Sequence, residues 1–247
     1  MPKECFFCSE LVALLWMQRD ISAAWNLATK SRGPVIAARS FLIARAAIKE
    51  RGALQRVREF APFIAFVSRG PLATIVEIGS SRGGTFYAWC AIADSDALIV
   101  GIDLPGGAFG EFSEQSVDLI GSYQRHRQTP DVISGDSHTP ETFTRLRAIL
   151  DGRGIDLLFI DGDHTYEGVR ADFEDYRELV TDGLIAFHDI VPGESSRVGG
   201  VPEFWAEIKR DFRHMELVEG WGQNGYGIGV LFAAGSASLE RPGPVLG

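Results

Sequence analysis

Two stretches of the chain carry residues that could do chemistry. "LLFIDGDHTYEG" (157–168) runs four apolar residues straight into Asp161, Asp163 and His164, and "GLIAFHDI" (183–190) ends its apolar run on His188 and Asp189. Ionisable groups resist burial unless something pairs with them. Neighbouring parallel strands lie about 4.8 Å apart, so carboxylates ending two of them would force one to take up a proton unless a cation neutralises them. A hard divalent ion with oxygen ligands is the economical cation, which points to Mg²⁺ on Asp161 and Asp189. His188 is the candidate third ligand, with substrate orientation or plain filling of the rim as its alternatives. His164 has an unperturbed pKa near the working pH, which suits a catalytic base that takes the proton of an acceptor hydroxyl. Asp163 more simply starts the helix that follows at Thr165.

A second set of residues suggests a nucleotide-bearing ligand. In "VEIGSSRGG" (76–84), Gly79, Gly83 and Gly84 let the backbone pass close to a ligand and open a helix whose N-terminus favours electronegative groups. The spacing is not the GxGxxG dinucleotide fingerprint, and Glu77 sits two residues before the first glycine, which counts against a nicotinamide or flavin. Asp103, in "GIDLPGG" (101–107), can accept both hydrogen bonds of a ribose diol. Asp136, followed by Ser137, closes "DVISGD" (131–136), where an acid could accept from an adenine amino group. Each is weak alone, since glycines make turns and Asp103 or Asp136 could cap a helix. Their placement at three successive strand ends is the stronger signal.

The elements that must position these residues are legible from the pattern. "ATIVEIG", "ALIVGIDL", "DVISGD", "IDLLFIDGD" and "GLIAFHDI" alternate with helical stretches, and near-continuous apolar character implies a parallel sheet covered on both faces. "MELVEG" and "YGIGVLFA" follow as a pair that could run antiparallel. After His164, Val169, Phe173, Tyr176 and Val180 fall on one helix face, with Gly183 as the expected stop, and Pro202 opens a later helix. Phe204 and Trp205 read as core, His126 and His138 as solvated loop residues, and His214 as a surface residue at a helix end. Trp221 and Tyr226 flank a glycine-rich loop and could pack or face a substrate.

The bulk properties narrow the class. The 247 residues carry a formal net charge of −9, which argues against a nucleic-acid partner. The apolar run Leu11–Met17 is too short to span a membrane, so a cytoplasmic location is expected. Cys5 and Cys8 form a lone CxxC, read as coincidence, and Cys90 reads as core.

These strings, with "SGDS" (134–137) and "GGVPEFW" (199–205), resemble class I S-adenosylmethionine-dependent methyltransferases. More narrowly they are similar to the methyltransferase-24 or cephalosporin hydroxylase-like group, related to metal-dependent O-methyltransferases of antibiotic and macrolide-sugar biosynthesis. The resemblance spans roughly residues 70 to 233. It implies an α/β, Rossmann-like, seven-stranded and mostly parallel sheet with helices on both faces. The expected organisation is a methyltransferase domain (70–235), a flexible tail (236–247) and an N-terminal helical extension (1–69), on which the resemblance says little but whose apolar faces must be buried as a lid over the cofactor site or as an oligomer interface. It further implies Glu77, Gly79, Ser81 and Gly83 around the methionine part, Asp103 on the ribose, Asp136 and Ser137 near adenine, and Asp161 serving both cofactor and metal. Catechol-type relatives carry an acid, a basic residue three positions on, and a second acid at the places of Asp161, His164 and Asp189, but follow the second acid with Asn where this chain has Ile190. The implied function is Mg²⁺-assisted O-methylation of a small hydroxylated natural product or sugar; a homo-oligomer through the N-terminal helices is one of the two ways their apolar faces could be covered. The competing readings are a non-catalytic binder of S-adenosylmethionine or a nucleoside, and an NAD-dependent oxidoreductase.

Overall fold

Five apolar runs become the parallel centre of one sheet: β1 (Thr74–Ile78), β2 (Leu98–Asp103), β3 (Thr129–Ser134), β4 (Leu157–Ile160) and β5 (Leu184–His188). Two further strands, β6 (His214–Leu217) and β7 (Ile228–Phe232), complete the order β3-β2-β1-β4-β5-β7-β6, with β7 antiparallel to both neighbours. The structure is a computed structural model and describes residues 23–106 and 112–233. β1, β4 and β5 are buried at every position, which is why their sequences are near-continuously apolar instead of alternating, with Thr74, Glu77 and His188 as the polar exceptions. β3 lies at an edge, where Pro130 can omit a ladder N–H at little cost.

Helices cover both faces. On one side lie α1 (Ala23–Arg51), α2 (Val57–Val67) and α3 (Gly84–Ile92), and here Phe60 and Phe63 of α2 pack edge-on against Trp89, with ring centroids 5.6 and 6.1 Å away. Phe63 also reaches Phe159 of β4 at 5.9 Å. The N-terminal helical segment is therefore built into the core of the sheet. On the other side, α5 (Pro140–Leu150), α6 (Tyr166–Tyr176) and α8 (Val201–Ile208) bury Phe173, Phe204 and Trp205 against Phe187. Short α4 (Glu114–Gly121) and α7 (Ser195–Val198) sit in the connections after β2 and β5.

Register then sets up the site. Ile78 pairs with Ile160 and Ile160 with Phe187, so the next residues along, Gly79, Asp161 and His188, come level at the carboxyl edge, with Asp189 one step beyond.

Two local expectations are corrected. α6 ends at Tyr176 and a 3₁₀ turn (Arg177–Leu179) follows, so the helix does not run on to Gly183. Gly183 is instead where the chain crosses Ile155 and Asp156, whose carbonyl oxygens would both lie 2.5 Å from a Cβ there. His214 starts β6 instead of ending a helix, and its ring meets Trp205 edge-on at 5.9 Å. Cys90 is free and buried as expected, whereas Cys5, Cys8, the run Leu11–Met17 and the tail 236–247 lie outside the described residues. Among the described residues no helix is long and apolar enough to cross a membrane.

Candidate active site at the carboxyl edge of the sheet

The turn after β1 is shaped by close approach. Gly79 has φ +88°, and a Cβ there would lie 2.0 Å from the main-chain oxygen of Asp161, so only glycine fits. Gly83, left-handed at φ +78°, caps α3. Between them the N–H of Ser81 donates to Asp103 Oδ2 at 2.5 Å, locking the ends of β1 and β2 together. Burial raises the Asp103 carboxyl, opposed by the main-chain N–H of Ser81. Beneath the turn Glu77 is fully buried and accepts the indole N–H of Trp89 at 2.8 Å. Burial pushes its carboxyl up to about 8, partly offset by the Thr85, Trp89 and Ser80 side chains.

The turn after β3 carries Asp136 and Ser137. Asp136 Oδ1 accepts the N–H of His138 at 2.9 Å, and the Ser137 carbonyl accepts the Tyr176 hydroxyl at 2.8 Å. His138 is not the solvated loop residue its sequence position suggests. Its Nε2 lies 3.2 Å from Oδ1 of Asp172, a wholly buried acid on α6, and 3.2 Å from the Gly168 carbonyl. The bond to Asp172 pushes the imidazole up to about 9.

Beyond β4 and β5 the chemically active residues converge. Asp161 Oδ1 is 3.1 Å from His188 Nδ1 and 3.3 Å from His164 Nε2. Asp189 Oδ2 is 3.5 Å from His188 Nδ1 and 3.9 Å from His164 Nδ1. Asp161, His164 and Asp189 can each present one ligand atom with all three within 4.8 Å of one another. His188 is buried against both acids, and its Nε2 has no hydrogen-bond partner among the described residues. Burial works to raise the Asp161 carboxyl, but the facing imidazoles of His188 and His164 override it and hold it well below the usual carboxylate range. Burial works to lower the imidazoles; the acids prevail, lifting His164 and taking His188 up to about 9. His164 is also oriented, because its Nδ1–H donates to the main-chain oxygen of Arg197. Asp163 keeps to the helix start: its Oδ1 accepts the N–H of Thr165, the N-cap of α6, at 2.8 Å.

Several residues that reach the acid cluster were not assigned to it from the sequence, although Tyr226 stood out as flanking a glycine-rich loop. Gln55, from the α1–α2 junction, donates its amide Nε2 to Asp161 Oδ2 at 3.0 Å. Tyr226, left-handed at φ +63°, donates its N–H to Asp189 Oδ1 at 2.6 Å, and the guanidiniums of Arg56 and Arg197 each lie 4.7 Å from its ring centre. Glu59 accepts the N–H groups of Glu219 and Gly227, both at 2.9 Å, and the Gln223 amide at 2.6 Å, which ties α2 to the β6–β7 loop. A carboxylate inside the apolar stretch "EFAPFIAFV" was the one available hint, since a buried acid calls for donors.

A glycine turn after the first strand, acids at successive strand ends and an antiparallel seventh strand inserted beside the fifth make up a Rossmann-like methyltransferase fold. Residues 76–190 match the methyltransferase domain model of the methyltransferase-24 family. The chain is also 28% identical over 204 residues to an uncharacterized protein, y4gI, of Sinorhizobium fredii; the match takes in 74% of this chain but only 21% of the relative, so the chain spans about a fifth of that protein's length. Solved structures share the fold. Cofactor-bound Rv0187 from MTB is 16% identical with a TM-score of 0.54, over 83% of this chain and 92% of that one. The methyltransferase PaMTH1 of Podospora anserina, solved with S-adenosylhomocysteine, is 16% identical with a TM-score of 0.52 over 95% and 98%. An O-methyltransferase of Bacillus cereus in complex with the same product gives 16% and 0.50 over 94% and 92%.

Proposed function

We propose that the protein transfers a methyl group from S-adenosylmethionine to a hydroxyl of a small acceptor, a natural product or sugar, with a divalent cation, Mg²⁺ by preference, at Asp161 and Asp189. One observation carries the reading. The main chain of Asp161 packs against the Gly79 turn while its carboxylate opens onto His164, His188 and Asp189, so the cofactor turn and the acid cluster share a residue. The donor set fits a hard cation: two carboxylates with an imidazole within reach, held by main-chain N–H groups and side-chain donors from other elements.

When bound, the cofactor supplies an activated methyl on sulfur and the cation lowers the pKa of an acceptor hydroxyl. Glu77, Gly79, Ser81 and Gly83 would line the methionine end, Asp103 would accept from ribose hydroxyls while its Oδ2 holds Ser81, and Asp136 and Ser137 would border the adenine. His164 takes the acceptor proton at Nε2, because its Nδ1–H is committed to the Arg197 carbonyl. His188, between both acids, steadies their charge.

The close grouping of His164 with the two acids favours a second reading in which its imidazole is the third ligand. Replacing His164 by Ala separates the two. Loss of turnover by about 10²- to 10⁴-fold with Mg²⁺ binding retained is the signature of the base, whereas a ligand loses both. Screening hydroxylated metabolites for methyl transfer, with and without chelator, tests the whole assignment; turnover indifferent to chelator and to Asp189→Asn would remove the cation from it, and S-adenosylmethionine binding without turnover on any acceptor would favour a non-catalytic binder.

A further inference from the structure

Gln55 is separated from Asp161 by 106 residues, yet its amide Nε2 rests 3.0 Å from Asp161 Oδ2. The side chain is 6% exposed, and its other terminal atom, Oε1, is buried with no hydrogen-bond partner among the described residues. A buried carbonyl oxygen without a donor is an unfilled position for something electropositive. The segment that presents it is firmly held. Gly52, at φ +79°, turns the chain out of α1, the Ala53 N–H donates back to Ala47 at 2.9 Å, and a few residues on Glu59 is bound by three donors.

We propose that Gln55 is a ligand of the cation site, an inference that rests on the cation reading above. Turned by a half-rotation about its terminal torsion, the amide places Oε1 where Nε2 now lies, 3.0 Å from Asp161 Oδ2. Oxygens at adjacent corners of an octahedral Mg²⁺, each about 2.1 Å from the ion, stand about 3.0 Å apart. One side-chain position therefore serves both states: the amide N–H satisfies the bare carboxylate, and the amide oxygen meets the cation. Being neutral, the amide adds a hard oxygen without adding to the negative charge of Asp161 and Asp189. The role also gives the N-terminal helices a part in the chemistry, since α1 and α2 deliver the residue.

Calorimetric titration of Mg²⁺, and of Mn²⁺ as a second probe, into the wild type, Gln55→Met and Gln55→Glu decides the matter, with thermal melts in EDTA to follow the fold of each. A ligand predicts binding about tenfold or more weaker in Gln55→Met and tighter in Gln55→Glu, whose carboxylate adds charge. A Gln55→Glu chain that melts below wild type in EDTA but above it in Mg²⁺ supports the proposal equally. If Gln55 only steadies Asp161 through its N–H, Glu cannot donate and repels Asp161, so Gln55→Glu binds more weakly than wild type, and the proposal falls. Wild-type affinity in Gln55→Met overturns it as well, leaving the cation reading intact. No uptake of either ion by the wild type overturns the cation reading itself.

Discussion

His138 Nε2 and Asp172 Oδ1, 3.2 Å apart, fasten the turn that follows β3 to the buried face of α6. The imidazole titrates near 6.5 when unfolded and is pushed up to about 9 in the fold, by the Asp172 bond first and by the charges of Asp136 and Asp163 in addition. Stability from this proton is fully present below the unfolded value and is lost as pH rises through the folded one. The gap in urea-unfolding free energy between wild type and His138→Ala is therefore expected to be widest near pH 6.5, at about 2 kcal/mol, and to close toward pH 10. The magnitude is set below that of a fully buried pair because the ring is partly solvated. A gap that stays flat across this range contradicts the assignment.

Glu77 gives the opposite kind of test. Its carboxyl, raised by burial to about 8, is mostly protonated at neutral pH, so the folded state loses stability as pH climbs from the ordinary carboxylate range toward 8. Gln in its place keeps an oxygen for the Trp89 indole and carries no charge to bury. Glu77→Gln should melt at or above wild type at pH 8 to 9 while binding S-adenosylhomocysteine about tenfold more weakly. Equal affinity would remove Glu77 from the cofactor set.

At Gly79 the prediction is steric. A methyl group 2.0 Å from the Asp161 main-chain oxygen, on a residue with φ +88°, must push the turn away from β4. Gly79→Ala is expected to cost about 3 kcal/mol or more and, on the proposed assignment of Asp161 to both sites, to weaken cofactor and cation binding together. Chemical denaturation and calorimetry on the same variant read the two effects.

The proposed cation dependence has a readout that needs no acceptor. Mg²⁺ at about a hundred times its dissociation constant should stabilise the wild type by about 2.7 kcal/mol, and EDTA should reverse the shift. Asp161→Asn is expected to abolish the response. Asp189→Asn should abolish it too while keeping an oxygen for the Tyr226 N–H, so the loop stays in place. A melting temperature that ignores Mg²⁺ in the wild type would count against the acid cluster as a cation site.

Phe63 tests whether the N-terminal helices are core. It is fully buried and touches both Trp89 and Phe159, so Phe63→Ala should cost about 4 kcal/mol. A chain starting at residue 70 should fail to give a cooperative melt, whereas a detachable lid would leave the remainder folded.

The sheet was readable because burial on both faces leaves a plain mark, an unbroken apolar run such as "LLFI", and the acids that end those runs were readable because they interrupt it. Asp161 and Asp189 could be paired in advance since parallel register brings strand ends together, and His164 joined them through the spacing that the family resemblance supplied. His138 could not be paired, because its partner Asp172 looks like any acid on an amphipathic helix until α6 is docked. Gln55 and Tyr226 reach the cluster from distant segments, through a left-handed turn at Gly52 and a left-handed Tyr226, and neither approach has a periodicity that a linear reading detects. The end of α6 was misplaced for a related reason: apolar spacing continues through Val180, which is buried, although the helix has already given way to a tighter turn.

Glu59 and Gly227 are 168 positions apart and joined by one hydrogen bond, and Gln55 grips an acid at the middle of the chain. The acid cluster is thus a product of long-range closure: no contiguous fragment of this sequence shorter than that span contains both ties. Activity during refolding should consequently lag behind the recovery of helical signal and appear together with the final cooperative step.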